Sequence, residues 1–442
     1  MIRRLSCLAA AVALCLECGA AGLDRSRLNI GVYYLNHNAA TEGHVRDLAE
    51  CGVDFVFGPS VPHAFFRRYG LGHVASFVVR HMPKAGDADR LQDMLVLCSE
   101  DARKFHSSSC GREPSIWGVS LADEPSARDF PVLGKAVAHV KTLFPGRFLY
   151  VNLFPNYASV AKNTDAEAKS QLGVESYQRY IDEYCREIPL DYISWDFYLY
   201  SGRGDSHLPL FYDNFRIVAD ACRRTQRDMW FVGQVNSIRP ELWISENMLR
   251  FQAFAAMSFG AQNISWACYS PGWWTNSVLT ASGEKTQQYD RLKTVNREIR
   301  IIAPEYMRWR NAATHFVGFA PGEHALKTMP MVVPLRAFDN AGFHDLHATD
   351  GGRLVVGEMV PRVDAARSGR ASAVFVFAAD DPYDLSPKPR EVRFRLADGL
   401  TPRVVGVNGE QDVYRTRDGI WSFPIMSSCG AFVVAVQEGG AK

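Results

Sequence analysis

Eight short apolar runs, each followed by a stretch whose apolar residues recur at helical spacing, fill the 442-residue chain up to Asn311. Residues 28–35, 53–58, 74–80, 115–122, 147–153, 192–200, 229–235 and 263–269 read as strands. Helical patterns cover about 41–51, 65–69, 89–105, 129–144, 177–187, 212–225, 244–259 and 283–302. Continuous apolar runs alternating with helices are the pattern of parallel strands buried on both faces. Eight such units predict a (β/α)8 TIM barrel over residues 22–310. The competing open, doubly wound sheet would be favoured by a glycine-rich turn after the first strand, and none occurs, so no dinucleotide cofactor is expected.

From Asn311 the pattern changes. Runs such as 354–358, 373–377, 392–396 and 432–436 are short strands separated by turn residues. They predict a small all-β sandwich over 311–442. It carries no evident exposed aromatic row and is expected to buttress the barrel.

The formal net charge of +1, without long runs of one sign, argues against a nucleic-acid partner. Arg3 and Arg4, an apolar stretch over 5–16 and the small residues Gly19 to Gly22 have the layout of a secretory signal peptide over 1–21. It is short for a membrane span. Leu14 and Glu17 stand before Cys15 and Cys18 where a lipoprotein signal wants small residues. Export is expected, with no transmembrane segment.

Seven cysteines remain beyond that segment: Cys51, Cys98, Cys110, Cys185, Cys222, Cys268 and Cys429. None has metal-ligand spacing, so no metal is expected, and His37, His44, His63, His73 and His81 read as ordinary histidines. One disulfide is conceivable, with Cys98 and Cys110 as the pair.

The stretch Ile116-Trp117-Gly118-Val119-Ser120-Leu121-Ala122-Asp123-Glu124-Pro125 ends an apolar strand in two carboxylates and a proline that stops the ladder. In a barrel, that rim is where chemistry is placed. Other strand ends supply Tyr34 and Asn36, Asn152, Trp195, Asp196 and Tyr198, Gln234, then Trp266, Tyr269 and Trp273. Acids and amides among flat rings describe a carbohydrate cleft. Neither a GxSxG elbow nor a phosphate loop occurs.

The strings IWGVSLADEP, YVNLFPNYA, YISWDFYLY and FGAQNISWACYSPG resemble the clan A glycoside hydrolases, in particular exported bacterial β-galactosidase and glycanase barrels with an Asp-Glu-Pro motif. The likeness covers most of residues 23–310. It implies that Glu124 is the general acid/base, that Asp123 replaces the usual Asn, and that Trp266 floors the sugar site. It also implies a nucleophilic Glu at the end of strand seven, where FVGQVNS has Gln234, and an amide cannot fill that role.

Three readings stay open. Asp196 serves as the second carboxylate; Asp123 orients a substrate acetamido group; or the site binds carbohydrate without cleaving it. Glu241 and Glu246 are further candidates for the missing acid. Blander roles compete as well: Glu124 as a helix N-terminal acid, Asp196 as a buried structural acid. The expected function is hydrolysis of O-glycosidic bonds in an oligo- or polysaccharide. The alternatives are a carbohydrate-binding protein on a degenerate barrel, and a structural module.

Overall fold

The structure, a computed structural model, describes residues 22–36, 40–80, 82, 87–160, 170–362 and 370–437. The expected signal peptide, with Cys7, Cys15 and Cys18, and also His37 and His81, lies outside the described residues.

Eight parallel strands, β1 (Asn29–Tyr33), β2 (Phe55–Gly58), β3 (Gly72–Ser76), β4 (Ile116–Asp123), β5 (Phe148–Leu153), β6 (Tyr192–Asp196), β7 (Asp228–Gln234) and β8 (Ala261–Ala267), pair in chain order. β8 closes on β1, so the barrel is complete. Around it lie α1 (Glu42–Glu50), α2 (His63–Tyr69), α3 (Ala88–Ser107), α4 (Phe130–Leu143), α5 (Tyr177–Glu187), α6 (Leu208–Thr225), α7 (Glu246–Ser258) and α8 (Gln287–Tyr306). Local chemistry sets several starts. Thr41, Asp87, Ser176 and Ser245 each accept a first-turn N–H at the head of α1, α3, α5 and α7. Pro131 and Pro209 occupy first-turn positions of α4 and α6, where a missing N–H costs nothing.

The barrel interior is aromatic rather than aliphatic. Tyr33 stacks on Phe57 at 4.2 Å, Phe57 meets Tyr150 at 4.4 Å, and Tyr192 stacks on Trp230 at 4.1 Å. Phe55 and Phe148 fill the space between them. Rings from opposite walls touch only because some strands give up side-chain volume. A Cβ on Gly31 would lie 2.6 Å from the Phe55 ring and from Ser265 Oγ, and one on Gly118 would lie 2.6 Å from the Phe148 carbonyl oxygen.

Three sequence expectations need correction. Strand six was expected to run to residue 200, but β6 ends at Asp196 and the chain turns through a 3-10 segment, Leu199–Ser201. Tyr200 therefore does not alternate with Tyr198 on a strand face. It is buried and donates to the Met248 carbonyl, 2.7 Å away. The last helix is shifted, spanning Gln287–Tyr306. The conceivable Cys98–Cys110 disulfide is absent: both thiols are free, and Cys110 Sγ instead faces His63 Nε2 at 3.4 Å.

The C-terminal unit is a two-sheet sandwich. One sheet has the order β15-β14-β18-β12-β11-β9. Its strands are β9 (Trp309–Val317), β11 (Leu354–Pro361), β12 (Arg370–Ala378), β14 (Leu400–Gly406), β15 (Gly409–Gln411) and β18 (Gly430–Gln437). The other has β10 (Phe343–Ala348), β13 (Pro389–Leu396), β17 (Trp421–Met426) and β16 (Tyr414–Arg415), in that order. The first sheet packs on α7 and α8 through Phe251 against Phe377 at 5.1 Å and Tyr306 against Phe375 at 5.7 Å. A loop after β12 reaches the barrel rim, where Tyr383 donates to the Gly204 carbonyl at 2.6 Å and packs on Tyr200. No helix of the described residues is long and apolar enough to cross a membrane.

Candidate active site

The carboxyl-terminal mouth of the barrel gathers three acids. Asp123 is the last residue of β4, and Glu124 follows it in a left-handed conformation, φ 48°. Successive side chains on a strand point to opposite faces. The left-handed turn breaks that alternation, so Asp123 and Glu124 both act on Asp196 at the end of β6. Such a backbone costs a non-glycine residue about 1 kcal/mol or more and persists only where neighbours impose it. Here the Glu124 N–H donates to the Asn152 carbonyl at 2.9 Å, and the Pro125 carbonyl accepts from Tyr180 Oη at 2.7 Å.

Asp196 is 2% exposed. Asn152 Nδ2 donates to its Oδ1 at 2.7 Å, and Oδ2 has no hydrogen-bond partner among the described residues. The orientation of that amide is set from the other side. Asn152 Oδ1 accepts from Ser194 Oγ at 3.1 Å and from Tyr150 Oη at 3.3 Å, and Tyr150 is in turn bonded to Tyr33 Oη at 2.8 Å. With two hydroxyls on its oxygen, Asn152 must aim its NH2 at Asp196.

Burial raises all three acids, and neighbouring carboxylates add to the rise at Glu124 and Asp196. Asp196, desolvated and facing Glu124 and Asp123, is held well above the usual carboxylate range. Glu124, half-buried beside Asp123, is lifted to about 7. Asp123 keeps an open face toward the cleft; the surrounding protein raises it, and Asn152 pulls the other way. Glu124 and Asp196 lie close enough that each holds the other's proton on more tightly.

Rings wall the cleft. Trp273 meets Tyr34 at 5.6 Å, Tyr33 at 6.2 Å and Tyr198 at 6.3 Å, with interplanar angles of 86°, 65° and 58°. Trp274 lies edge-on to Tyr198 at 4.8 Å. Val232, Ala267 and Cys268 form the apolar floor beneath them. Burial pushes the Cys268 thiol up to about 12, so it stays protonated. The Trp273 loop is pinned from both sides: Asn36 Nδ2 donates to the Pro271 carbonyl at 2.8 Å, and Asn236 Nδ2 to the Trp273 carbonyl at 2.6 Å. On the Asp196 side, Tyr157 faces Asp196 and Glu124 and stacks on His207 at 5.1 Å.

Of the residues expected from sequence, Asp123, Glu124, Asp196, Asn152, Tyr34, Tyr198 and Trp273 converge here. Asn36 braces a loop rather than lining the cleft. Three others point away. Ser194 and Asp196 face inward, so Trp195 faces outward and packs on Phe215 of α6 at 4.7 Å. By the same alternation, Ala267 faces in and Trp266 faces α8, its Nε1 donating to Asn296 Oδ1 at 2.9 Å. Trp266 is therefore no floor for a sugar. Tyr269 is fully buried beneath the following loop, its carbonyl accepting from Leu279 N at 2.8 Å.

Gln234 is wholly engaged: its Oε1 accepts from Tyr200 N at 2.8 Å, and its Nε2 donates to the Asn236 carbonyl at 2.9 Å. Glu241 is exposed, and Glu246 pairs with Arg250 at 2.9 Å in the first turn of α7. Neither supplies the missing acid.

Sequence reasoning passed over Tyr150, Tyr157, His207 and Cys268. Only Tyr150 carried a usable signal, two residues before Asn152 on the same strand face. Among the described residues no three His, Cys, Asp or Glu side chains cluster as metal ligands.

No protein-family model and no curated protein matches the sequence. Solved structures do align with it. A family 39 glycoside hydrolase from Bacteroides cellulosilyticus aligns at 10% identity and TM-score 0.46, over 94% of this chain and 82% of that one. An endo-β-1,4-mannanase from Thermotoga petrophila aligns at 10% identity and TM-score 0.43, over 90% and 91%. A family 30 subfamily 8 xylanase from Clostridium acetobutylicum aligns at 9% identity and TM-score 0.42, over 92% and 96%.

Proposed function

We propose that this protein is an exported glycoside hydrolase that cleaves O-glycosidic bonds of an oligo- or polysaccharide. The observation that carries the reading is the meeting of Asp123, Glu124 and Asp196 beneath an aromatic cup, at the barrel face where such enzymes place their chemistry. Glu124 is the general acid. Its pKa of about 7 leaves it largely protonated just below neutrality. Its partial exposure lets water restore the proton after each cycle, which the 2%-exposed Asp196 is poorly placed to do.

Glu124 gives its proton to the glycosidic oxygen as the bond to the anomeric carbon breaks. Asp196 is the second carboxylate, acting either on the anomeric carbon directly or by taking a proton from an attacking water. The Asn152 hydrogen bond favours the charged form of Asp196 that either route needs. Asp123 keeps the field on both groups negative and faces the substrate.

Gln234 on β7 supports a second reading, a carbohydrate-binding protein that does not cleave. Hydrolysis of a panel of aryl glycosides and glycans separates the two, with Glu124→Gln as the control. Cleavage that falls by about 10²–10⁴-fold in the variant is the expected result. The anomer first released then assigns the step taken by Asp196. Binding without cleavage by either protein would establish the second reading, and cleavage indifferent to Glu124→Gln would remove Glu124 from the mechanism.

A further inference from the structure

At the end of the barrel opposite the three acids, the seam between barrel and sandwich opens into a pocket of about 290 Å3. Three guanidinium groups line it, each from a different element: Arg223 from the last turn of α6, Arg227 from the turn before β7, and Arg310 from β9 of the sandwich. Gln226 and, at the start of β8, Gln262 add amides. No Asp or Glu lines the pocket among the described residues.

Some of these groups have structural work. Arg223 pairs with Asp220, donates to Asn311 Oδ1 and suits the negative end of α6. Arg227 donates from Nη2 to the Cys185 and Ile188 carbonyls at 2.8 and 3.0 Å, closing the end of α5. Its charge meets no acid among the described residues, since neighbouring Asp228 is held by Arg25, with Nε at 3.2 Å. Arg310 has no such task. It is half-buried, its hydrogen bond goes to the neutral Gln226 Oε1 at 3.3 Å, and no acid pairs with it among the described residues. Gln262 Oε1 accepts from Met229 N at 2.7 Å, which leaves its NH2 without an acceptor among the described residues.

Three half-buried cations with one acid among them repel one another, more strongly than they would on open surface. An anion in the pocket relieves that repulsion and accepts from the idle donors. Guanidinium forks and an amide arriving from separate elements offer more N–H groups than the two oxygens of a carboxylate take up. They suit the three or four oxygens of a tetrahedral oxyanion. We infer that this pocket binds a sulfate or phosphate group, free or carried on a polymer, with Arg310 as its principal contact. The pocket lies at the far end of the barrel from the cleft, so the inference does not depend on the glycosidase reading.

The test titrates the purified full chain with sodium sulfate and with inorganic phosphate, against chloride at the same ionic strength, and follows melting in the same solutions. Retention on dextran sulfate is compared with retention on uncharged dextran. Arg310→Gln removes the charge, and Arg310→Lys keeps it without the fork. Arg308→Gln removes an exposed charge two residues away that does not line the pocket. The expected result is saturable binding with a Kd of about 1 mM or below and a rise in Tm that chloride does not reproduce. Affinity should fall at least about tenfold in Arg310→Gln, less in Arg310→Lys, and stay within about twofold in Arg308→Gln. Dextran sulfate held more tightly than free sulfate, and released by Arg310→Gln, assigns the group to a polymer; no gain over free sulfate assigns a free ion. Equal losses in Arg310→Gln and Arg308→Gln would mean general surface charge and overturn the inference. The melting of the parent needs no variant, and a Tm that responds to sulfate and phosphate no more than to chloride would overturn it as well.

Discussion

Glu124 carries opposing demands on stability and activity. Its carboxyl is raised from 4.5 to about 7 by burial and by Asp123. The folded protein thus holds a proton there that the unfolded chain releases. The stability this gives is complete below about 4.5 and is lost as pH rises through about 7. Glu124→Gln, which cannot ionise, should therefore melt at a higher temperature than the parent at pH 8, with the difference vanishing toward pH 4; thermal scans across that range check it. Asn152 offers a second test at this scale. Asn152→Leu removes the side-chain hydrogen bond that Asp196 receives at 2.7 Å. The charged form of Asp196 loses support, so the acidic limb of the kcat/KM profile should move to higher pH. A purely structural role for Asn152 would lower activity without moving that limb. The place of Asp196 at the barrel mouth was legible because a carboxylate ended an apolar strand; the Tyr33–Tyr150–Asn152 chain that aims its partner was not, since it links β1 to β5.

At the level of strands and loops, the end of β7 shows why a residue type does not define a role. Gln234 uses its oxygen on Tyr200 N and its NH2 on the Asn236 carbonyl, so it secures the turns after β6 and β7. Gln234→Glu would set a carboxylate oxygen against that carbonyl. It should cost about 1–3 kcal/mol in denaturant unfolding and add no activity. Trp266 makes the complementary case. Removing its N–H with Trp266→Phe strands Asn296 Oδ1 between β8 and α8. The loss should again be about 1–3 kcal/mol, with KM unchanged because the ring faces away from the cleft. The two tryptophans Trp195 and Trp266 looked like sugar platforms in sequence because they stand next to strand ends. One residue of register decides whether such a ring meets ligand or helix.

Across the whole molecule, the sandwich is part of the barrel's support. The ring contacts of Phe375 with Tyr306 and of Phe377 with Phe251 join the six-stranded sheet to α7 and α8. Asn247 on α7 binds the Asp384 carbonyl at 2.9 Å, and Tyr383 holds the rim at Gly204. Phe375→Ala should cost about 3–5 kcal/mol, the usual loss for a fully buried ring. Because the contacts cross the boundary, calorimetry should show one transition that shifts as a unit, rather than a sandwich melting ahead of an unaltered barrel.

The alternation of apolar runs and helical patterns by itself determined the barrel, since strands buried on both faces admit few other arrangements. The change of period after Asn311 likewise determined the sandwich, and the acids ending β4 and β6 marked the candidate site. Tertiary structure alone decided which neighbours of those acids share the cleft. It depended on the left-handed turn at Glu124, the early end of β6 and the inward or outward parity of each strand end. These are set by contacts between segments far apart in the chain, and no local pattern records them.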